Sequence, residues 1–180
     1  MLENQNVAGL AFVTMGLGWD PAPDGHLFFG TKPDIDLNAA ALLFAGEAIV
    51  DVVYFDQMMS QDGAVRLLGD STNGEGDGDD EEITVDLTRL IPQITSIFFI
   101  VTSYSGQPFG EIHNAFCRLV DGVANVEFAR FNLSAAAGFT GFVLGKLVKT
   151  EQGWWYQPVN ESIQAGHPVE AVPHLTHLLP

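Results

Sequence analysis

The sequence predicts an all-β protein, a two-sheet β-sandwich with one or two short helices. Short segments rich in β-branched and aromatic residues recur along the chain, and turn-forming residues separate them. Eight or nine such segments, with few helical periods between them, are typical of a sandwich. Apolar residues make up 47% of the 180 positions, which is enough for one domain with a sizeable core.

The predicted strands differ in how they are expected to be buried. Ile83–Leu87 alternates apolar and polar residues, which indicates one buried face, whereas the continuously apolar Ile97–Val101 favours burial of both faces. The full set is Leu10–Leu17, Leu37–Phe44, Ala48–Phe55, Ile83–Leu87, Gln93–Tyr104, Ala115–Val120, Val126–Leu133, Gly141–Lys149 and Trp154–Val159.

Helical signals are weak and local. Pro108–Asn114 can form one helical turn because proline is tolerated at a helix start, and Ser134 is a candidate N-cap of a second short turn. Residues after Gly166 carry three prolines and no clear period. We therefore predict one domain over residues 1–160 and a peripheral C-terminal tail over residues 161–180.

Charge and cysteine content exclude several classes of protein. The formal charge of −16 repels nucleic acid and anionic membrane surfaces and attracts cations. Cys117 is the only cysteine, which excludes an intrachain disulfide and a cysteine-based zinc site. The sequence contains no run of eighteen apolar residues, so no membrane span is predicted. An export signal requires a basic residue before its apolar stretch, and none precedes Val7–Met15. We expect a cytoplasmic protein with no direct membrane insertion.

The segment Gly69–Glu82, which reads GDSTNGEGDGDDEE, is the strongest candidate for a binding site. Calcium takes six to eight oxygen ligands, and one chain supplies several of them only by curling around the ion, which glycine permits. The spacing does not match an EF-hand. The alternative is a solvated acidic turn. The candidate calcium ligands in this loop are Asp70, Glu75, Asp77, Asp79, Asp80 and Glu81.

A second group of oxygen-bearing side chains enters the predicted strand at residue 37. Residues 34–38 read DIDLN, and alternation in an extended chain places Asp36 and Asn38 on one face. We add both to the candidate ligands, although an ordinary strand edge is the alternative. Asp20 is a weaker candidate, and Asn114 is a candidate for orienting the site or a nearby loop.

Several motifs resemble the TerD family of tellurite-resistance and general stress proteins. The matching strings include GLGWD at Gly16–Asp20, SQDGAV at Ser60–Val65, GEGDGDDE at Gly74–Glu81 and ARFNL at Ala129–Leu133. The resemblance implies a sandwich with calcium sites built from the acidic loop and the strand entry. It also implies a bacterial stress-response protein that acts with protein partners, in membrane-associated complexes, without a known catalytic reaction. Asn38 departs from the aspartate usual in that family, and the tail is unlike it.

Three functions remain open on the sequence. The first is a calcium-binding, non-enzymatic stress-response module that acts through protein partners. The second is a sandwich that binds a small molecule or carbohydrate on a face formed by Trp154 or Trp155, with calcium in a structural role. The third is a hydrolase that uses paired carboxylates, although no GxSxG nucleophile motif is present.

Overall fold

The computed structural model describes residues 7–22, 34–69, 74 and 78–179, and it confirms the predicted two-sheet β-sandwich. The described residues form eleven strands and one short α-helix. The strands are β1 (Val7–Leu10), β2 (Phe12–Gly18), β3 (Leu37–Ala45), β4 (Ala48–Val53), β5 (Val65–Leu68), β6 (Glu81–Asp86), β7 (Ser96–Ser103), β8 (Phe116–Asp121), β9 (Val126–Asn132), β10 (Gly141–Thr150) and β11 (Gly153–Ile163), and the helix α1 spans Pro168–Leu175.

The two sheets are antiparallel and pack face to face. One has six strands in the order β1-β11-β10-β7-β3-β4, and the other has five in the order β5-β6-β2-β8-β9. The predicted burial of both faces of β7 is confirmed. Ile97 and Phe99 belong to the core between the sheets, whereas Phe98 and Ile100 belong to a second cluster on the outer face.

Three predictions about strands need correction. The predicted strand Leu10–Leu17 is two strands, since the chain breaks at Ala11 and β1 and β2 join different sheets. The short strand β5 is absent from the predicted set. β11 continues through Pro158 to Ile163, beyond the predicted end at Val159. Eleven strands therefore replace the eight or nine expected over the described part of the chain.

Both predicted helical turns exist as single 3-10 turns, at Phe109–Glu111 and Leu133–Ala136. The second begins after Asn132 and has no side-chain cap, so the prediction of Ser134 as its N-cap is wrong. A third 3-10 turn, Thr176–Leu178, follows α1. No described helix is long and apolar enough to span a membrane.

The C-terminal residues pack on the outer face of the six-stranded sheet. Ala171 and Leu175 of α1 are buried against Phe44 and Phe98 in the second hydrophobic cluster. The helix begins with Pro168, where a proline is well tolerated, and the His167 ring accepts a hydrogen bond from the Val169 amide at 3.2 Å. This packing covers apolar surface that the sheet would otherwise expose.

Candidate metal centre

The acidic loop connects β5 to β6, and the structure describes its residues Gly69, Gly74 and 78–80. The three described glycines all take positive φ angles, between 75° and 80°, as expected of a tightly curled loop. Gly74 also packs so closely on Trp19 that a Cβ there would lie 2.4 Å from the indole nitrogen. The loop therefore needs glycine at this position for both conformation and space.

Trp19 joins the acidic loop to the strand entry. Its indole Nε1 donates a hydrogen bond to the Ile35 carbonyl at 3.0 Å, and its backbone N–H donates to Asp80 Oδ2 at 2.8 Å. The side chain is only 2% exposed. The GLGWD motif at the end of β2 thus brings the strand entry at residue 35 and the acidic loop to one place.

Asp80 carries the feature that best fits a cation. Its Oδ2 accepts the Trp19 amide, but its Oδ1 is buried and has no hydrogen-bond partner among the described residues. Burial raises the pKa of the Asp80 carboxyl, and the charges of Asp20 and Asp79 raise it further against the effect of the Trp19 amide. A buried carboxylate oxygen without a partner is costly unless a cation or a proton meets it.

Asp20 lies close enough for its charge to act on Asp80, although the sequence ranks it as a weak candidate. Its Oδ2 accepts a 2.6 Å hydrogen bond from the Asn114 side-chain amide. Asn114 holds a positive φ of 53°, in a loop whose His113 carbonyl accepts the Asp20 amide. The position of Asp20 directly after Trp19 is the available signal for its place beside the loop.

The neighbouring residues Asp79 and Asp80 bind different partners. Asp79 lies over Gly16 on the outer face of the five-stranded sheet, where Arg118 on β8 binds both of its oxygens. The shortest contact, from Arg118 Nη2 to Asp79 Oδ2, is 2.7 Å, and the Asp79 side chain is only 7% exposed. Asp79 is therefore occupied as the partner of a bidentate ion pair.

Glu81 bridges the two sheets. The side chain is 1% exposed, and its Oε2 accepts the backbone N–H of Ala39 on β3 at 2.9 Å. Because β4 pairs with β3 only from Ala41 onward, the Ala39 amide lies on a part of β3 that β4 does not cover. Glu81 thus fixes the start of β6 to the start of β3.

Asp36 and Asn38 lie at the strand entry in different surroundings. The backbone of Asp36 is held by Ser105 Oγ and by the Tyr104 amide, both at 2.9 Å. Asn38 alternates with Leu37 and so occupies the face of β3 that carries the outer cluster, where it is 2% exposed. Over the described ranges, no hydrogen bond joins the Asn38 side chain to another candidate ligand.

The oxygen atoms bonded by Trp19, the Ile35 carbonyl and the Asp80 carboxylate, are of the kinds that calcium binds in proteins. Within residues 7–22, 34–69, 74 and 78–179, no group of three or more His, Cys, Asp or Glu side chains is arranged to hold a metal ion. Asp70, Glu75 and Asp77 lie outside the described residues. Their role as calcium ligands therefore stays a prediction.

The fold and the anchored acidic loop define a class of small acidic β-sandwich proteins. The family model for the TerD domain matches residues 2–170, so the chain belongs to the TerD family. It is 37% identical to the tellurium resistance protein TerZ of Serratia marcescens over 164 residues, covering 86% of this chain and 84% of that protein.

Two further relatives support the assignment. Stress response protein SCP2 of Bacillus subtilis is 35% identical over 167 residues, which cover 86% of this chain and 84% of that protein. The crystal structure of a TerD homologue from Streptomyces coelicolor superposes with a TM-score of 0.80 at 26% identity, covering 91% of this chain and 96% of that one. The family thus includes tellurium resistance and general stress proteins.

Proposed function

We propose that the protein is a calcium-binding, non-enzymatic module of a stress response, in which the bound ion orders the acidic loop for interaction with protein partners. The observation that most supports this proposal is the buried Asp80 Oδ1, which has no hydrogen-bond partner among the described residues. Asp80 and Asp20 would supply oxygen ligands from the anchored side of the site. Asp36 at the strand entry would add another.

The remaining ligands would come from the loop carboxylates of Asp70, Glu75 and Asp77, which the sequence places beside the glycines. Asp79 and Glu81 would support the site from outside, because Arg118 and the Ala39 amide already occupy them. When bound, calcium supplies positive charge that relieves repulsion among crowded carboxylates. The ordered loop would then present a fixed surface beside Trp19.

The carbohydrate-binding alternative has less support. The strand register places Trp155 level with Phe44, at the end of β3 away from Ala39 where the acidic loop is attached. Phe44 lies five positions after Ala39, or about 17 Å along an extended strand. Trp154 is buried in the core between the sheets, which removes it from any ligand face.

The test is thermal unfolding of the chelated protein with and without about 1 mM calcium, with magnesium in parallel. We expect a calcium-selective increase in Tm, equivalent to about 2.7 kcal/mol at a hundredfold excess over Kd. Asp80→Asn keeps the acceptor for the Trp19 amide but removes the charge, so it should abolish the increase while leaving the chelated protein folded.

Asp56→Asn is the matched control, since Asp56 is an exposed aspartate on the turn after β4. It should retain the full calcium response. An Asp80→Asn protein that still gains as much Tm from calcium as the parent would refute the site, and an equal effect of magnesium would refute calcium selectivity.

A further inference from the structure

An apolar groove of about 610 Å³ runs between the edge strand β4 and the helix α1. β4 is the last strand of the six-stranded sheet, so one side of its backbone has no neighbouring strand among the described residues. One wall of the groove carries Ile49, Val50 and Val52, and the other carries Val169, Val172 and Pro173. The groove lies on the outer face of this sheet, which also carries α1.

A shift in strand register explains why β4 exposes adjacent apolar residues. Leu43 pairs with Asp51 and Phe44 with Ile49, so Val50 is an extra residue that forms a β-bulge. The bulge interrupts the alternation of side chains, and Ile49 and Val50 are 42% and 38% exposed. Across the groove Val169 is 56% exposed. Adjoining exposed apolar residues at a sheet edge are typical of a binding surface.

The charge around the groove is negative. No Lys or Arg is among the described residues that line it, and the lining carboxylate, that of Asp51, is buried at 7% exposure. The Asp51 carboxylate is fixed by the amides of Val52 at 3.0 Å and Gln61 at 2.8 Å, and by the Gln57 side chain. Exposed Glu47 and Asp56 flank β4 at its two ends.

We infer that this groove binds an extended segment of a partner protein in which apolar side chains alternate with lysine or arginine. An extended chain can lie along the edge strand beside the Val52 amide, which Asp51 already bonds, placing its apolar side chains in the groove and its basic ones near the acidic flanks. The inference rests on the proposed role in protein interaction, but it concerns a face that does not use the calcium ligands.

A second copy of this chain is a poor occupant. Antiparallel pairing of two β4 strands would bring Glu47 of one copy near Asp56 of the other, and each copy carries a formal charge of −16. Like charges placed opposite one another across paired strands are destabilising. A basic segment has the complementary charge and is attracted at long range.

The test uses a fluorescein-labelled peptide of roughly ten residues, the length of a long strand, in which lysine and valine alternate. Fluorescence anisotropy measures its binding to the full chain, once with chelator and once with calcium. Ile49→Asp and Val169→Asp each place a charge on one wall of the groove. Val123→Asp is the matched control, since Val123 is 73% exposed and lies in the β8–β9 turn of the other sheet.

We expect saturable binding that weakens roughly tenfold in each groove variant and is unchanged in Val123→Asp. Peptides with glutamate in place of lysine, or serine in place of valine, should bind at least roughly tenfold more weakly. Circular dichroism and Tm measurements confirm that each variant is folded, and a variant that fails to fold is replaced by Val50→Asp.

Four results would overturn the inference: no binding of the lysine–valine peptide, equal binding by the serine peptide, equal binding by the groove variants, or a dimer of the parent that Ile49→Asp dissociates in sedimentation. Calcium-dependent unfolding of the same samples separates the two proposals. Peptide binding that persists in chelator without a calcium effect on Tm would contradict only the calcium site. A calcium effect without peptide binding would contradict only the groove.

Discussion

Trp19 is the residue on which the geometry of the candidate site depends most. Its indole bonds the Ile35 carbonyl, its amide bonds Asp80, and its ring fills the space beside Gly74. The strand entry and the acidic loop are far apart in sequence, and the large buried ring contacts both of them. The position of Asp80 is therefore set by packing as well as by charge.

Gly74→Ala tests this dependence. The new Cβ would lie 2.4 Å from the indole nitrogen and would occupy a φ of 80°, so the loop must move away from Trp19. Gly46→Ala is the control, because Gly46 also has a positive φ but a Cβ added there would have no atom within 4 Å. We expect a loss of about 1 kcal/mol for Gly46→Ala and a larger loss for Gly74→Ala in urea unfolding.

The calcium response adds a second measurement to the same pair of variants. Gly74→Ala should weaken the increase in Tm produced by calcium, whereas Gly46→Ala should leave it intact. Equal losses of stability in the two variants would mean that only backbone strain matters at residue 74 and that the packing on Trp19 contributes nothing.

At the residue scale, the sequence predicts that acidic side chains lie close together in the loop, but it does not predict which partner each of them binds. Asp79 and Asp80 are adjacent and chemically identical, yet one binds Arg118 and the other accepts the Trp19 amide. Arg118 is 39 positions from Asp79, and Trp19 is 61 positions from Asp80. Spacing along the loop contains no information about partners at that separation.

At the scale of elements, Asp62 connects the segment between β4 and β5 to the one between β6 and β7. Its Oδ1 accepts the Ser60 hydroxyl at 2.6 Å and the Ala64 amide at 2.9 Å, and its Oδ2 accepts the Ile91 amide at 3.0 Å. The SQDGAV motif that contains Asp62 thus has a structural role in holding β5 at the sheet edge. Burial raises the pKa of Asp62, but these hydrogen bonds lower it by more, so it lies below the ordinary 3.8.

Asp62→Asn should therefore destabilise the protein in a pH-dependent way. A carboxylate with a lowered folded pKa stabilises the native state above its unfolded pKa of 3.8, and this contribution is lost as pH falls through the folded pKa. We expect the variant to lose about 1–3 kcal/mol at neutral pH and the difference from the parent to shrink below pH 3.8. Urea unfolding across pH measures both, with Asp56→Asn as the control. A difference that is constant with pH would contradict ionic stabilisation by Asp62.

Elements with strong local patterns are predictable, and those that depend on tertiary contacts are not. β7 contains the apolar run Ile97–Val101 and is recognisable from its sequence. β5 has only four residues and is held by β6 and by the Asp62 contacts, so local pattern alone does not reveal it. The helix α1 contains Pro173, which argues against a helix, yet burial of Leu175 on the sheet overrides that local preference.

At the scale of the whole molecule, the main feature is negative charge that few basic side chains balance. The chain has 7 Lys and Arg residues against 23 Asp and Glu. Arg118 and Arg130 share Glu127 on the outer face of the five-stranded sheet, and Arg118 also neutralises Asp79. Arg118 thus holds one carboxylate of the acidic loop, whereas no ion pair to Asp80 is present among the described residues.

Monovalent salt should separate general screening from coordination of calcium. In chelator, sodium chloride should raise Tm because it screens repulsion over a Debye length of about 8 Å at 0.15 M ionic strength. The difference in Tm between calcium and magnesium should remain at high salt, because ligand number and geometry, rather than long-range charge, distinguish these ions. Differential scanning fluorimetry across a salt series measures both quantities, with Asp80→Asn expected to show the general increase but no calcium-selective difference. A calcium-selective difference that disappears with screening would mean that the acidic loop attracts divalent ions without coordinating them.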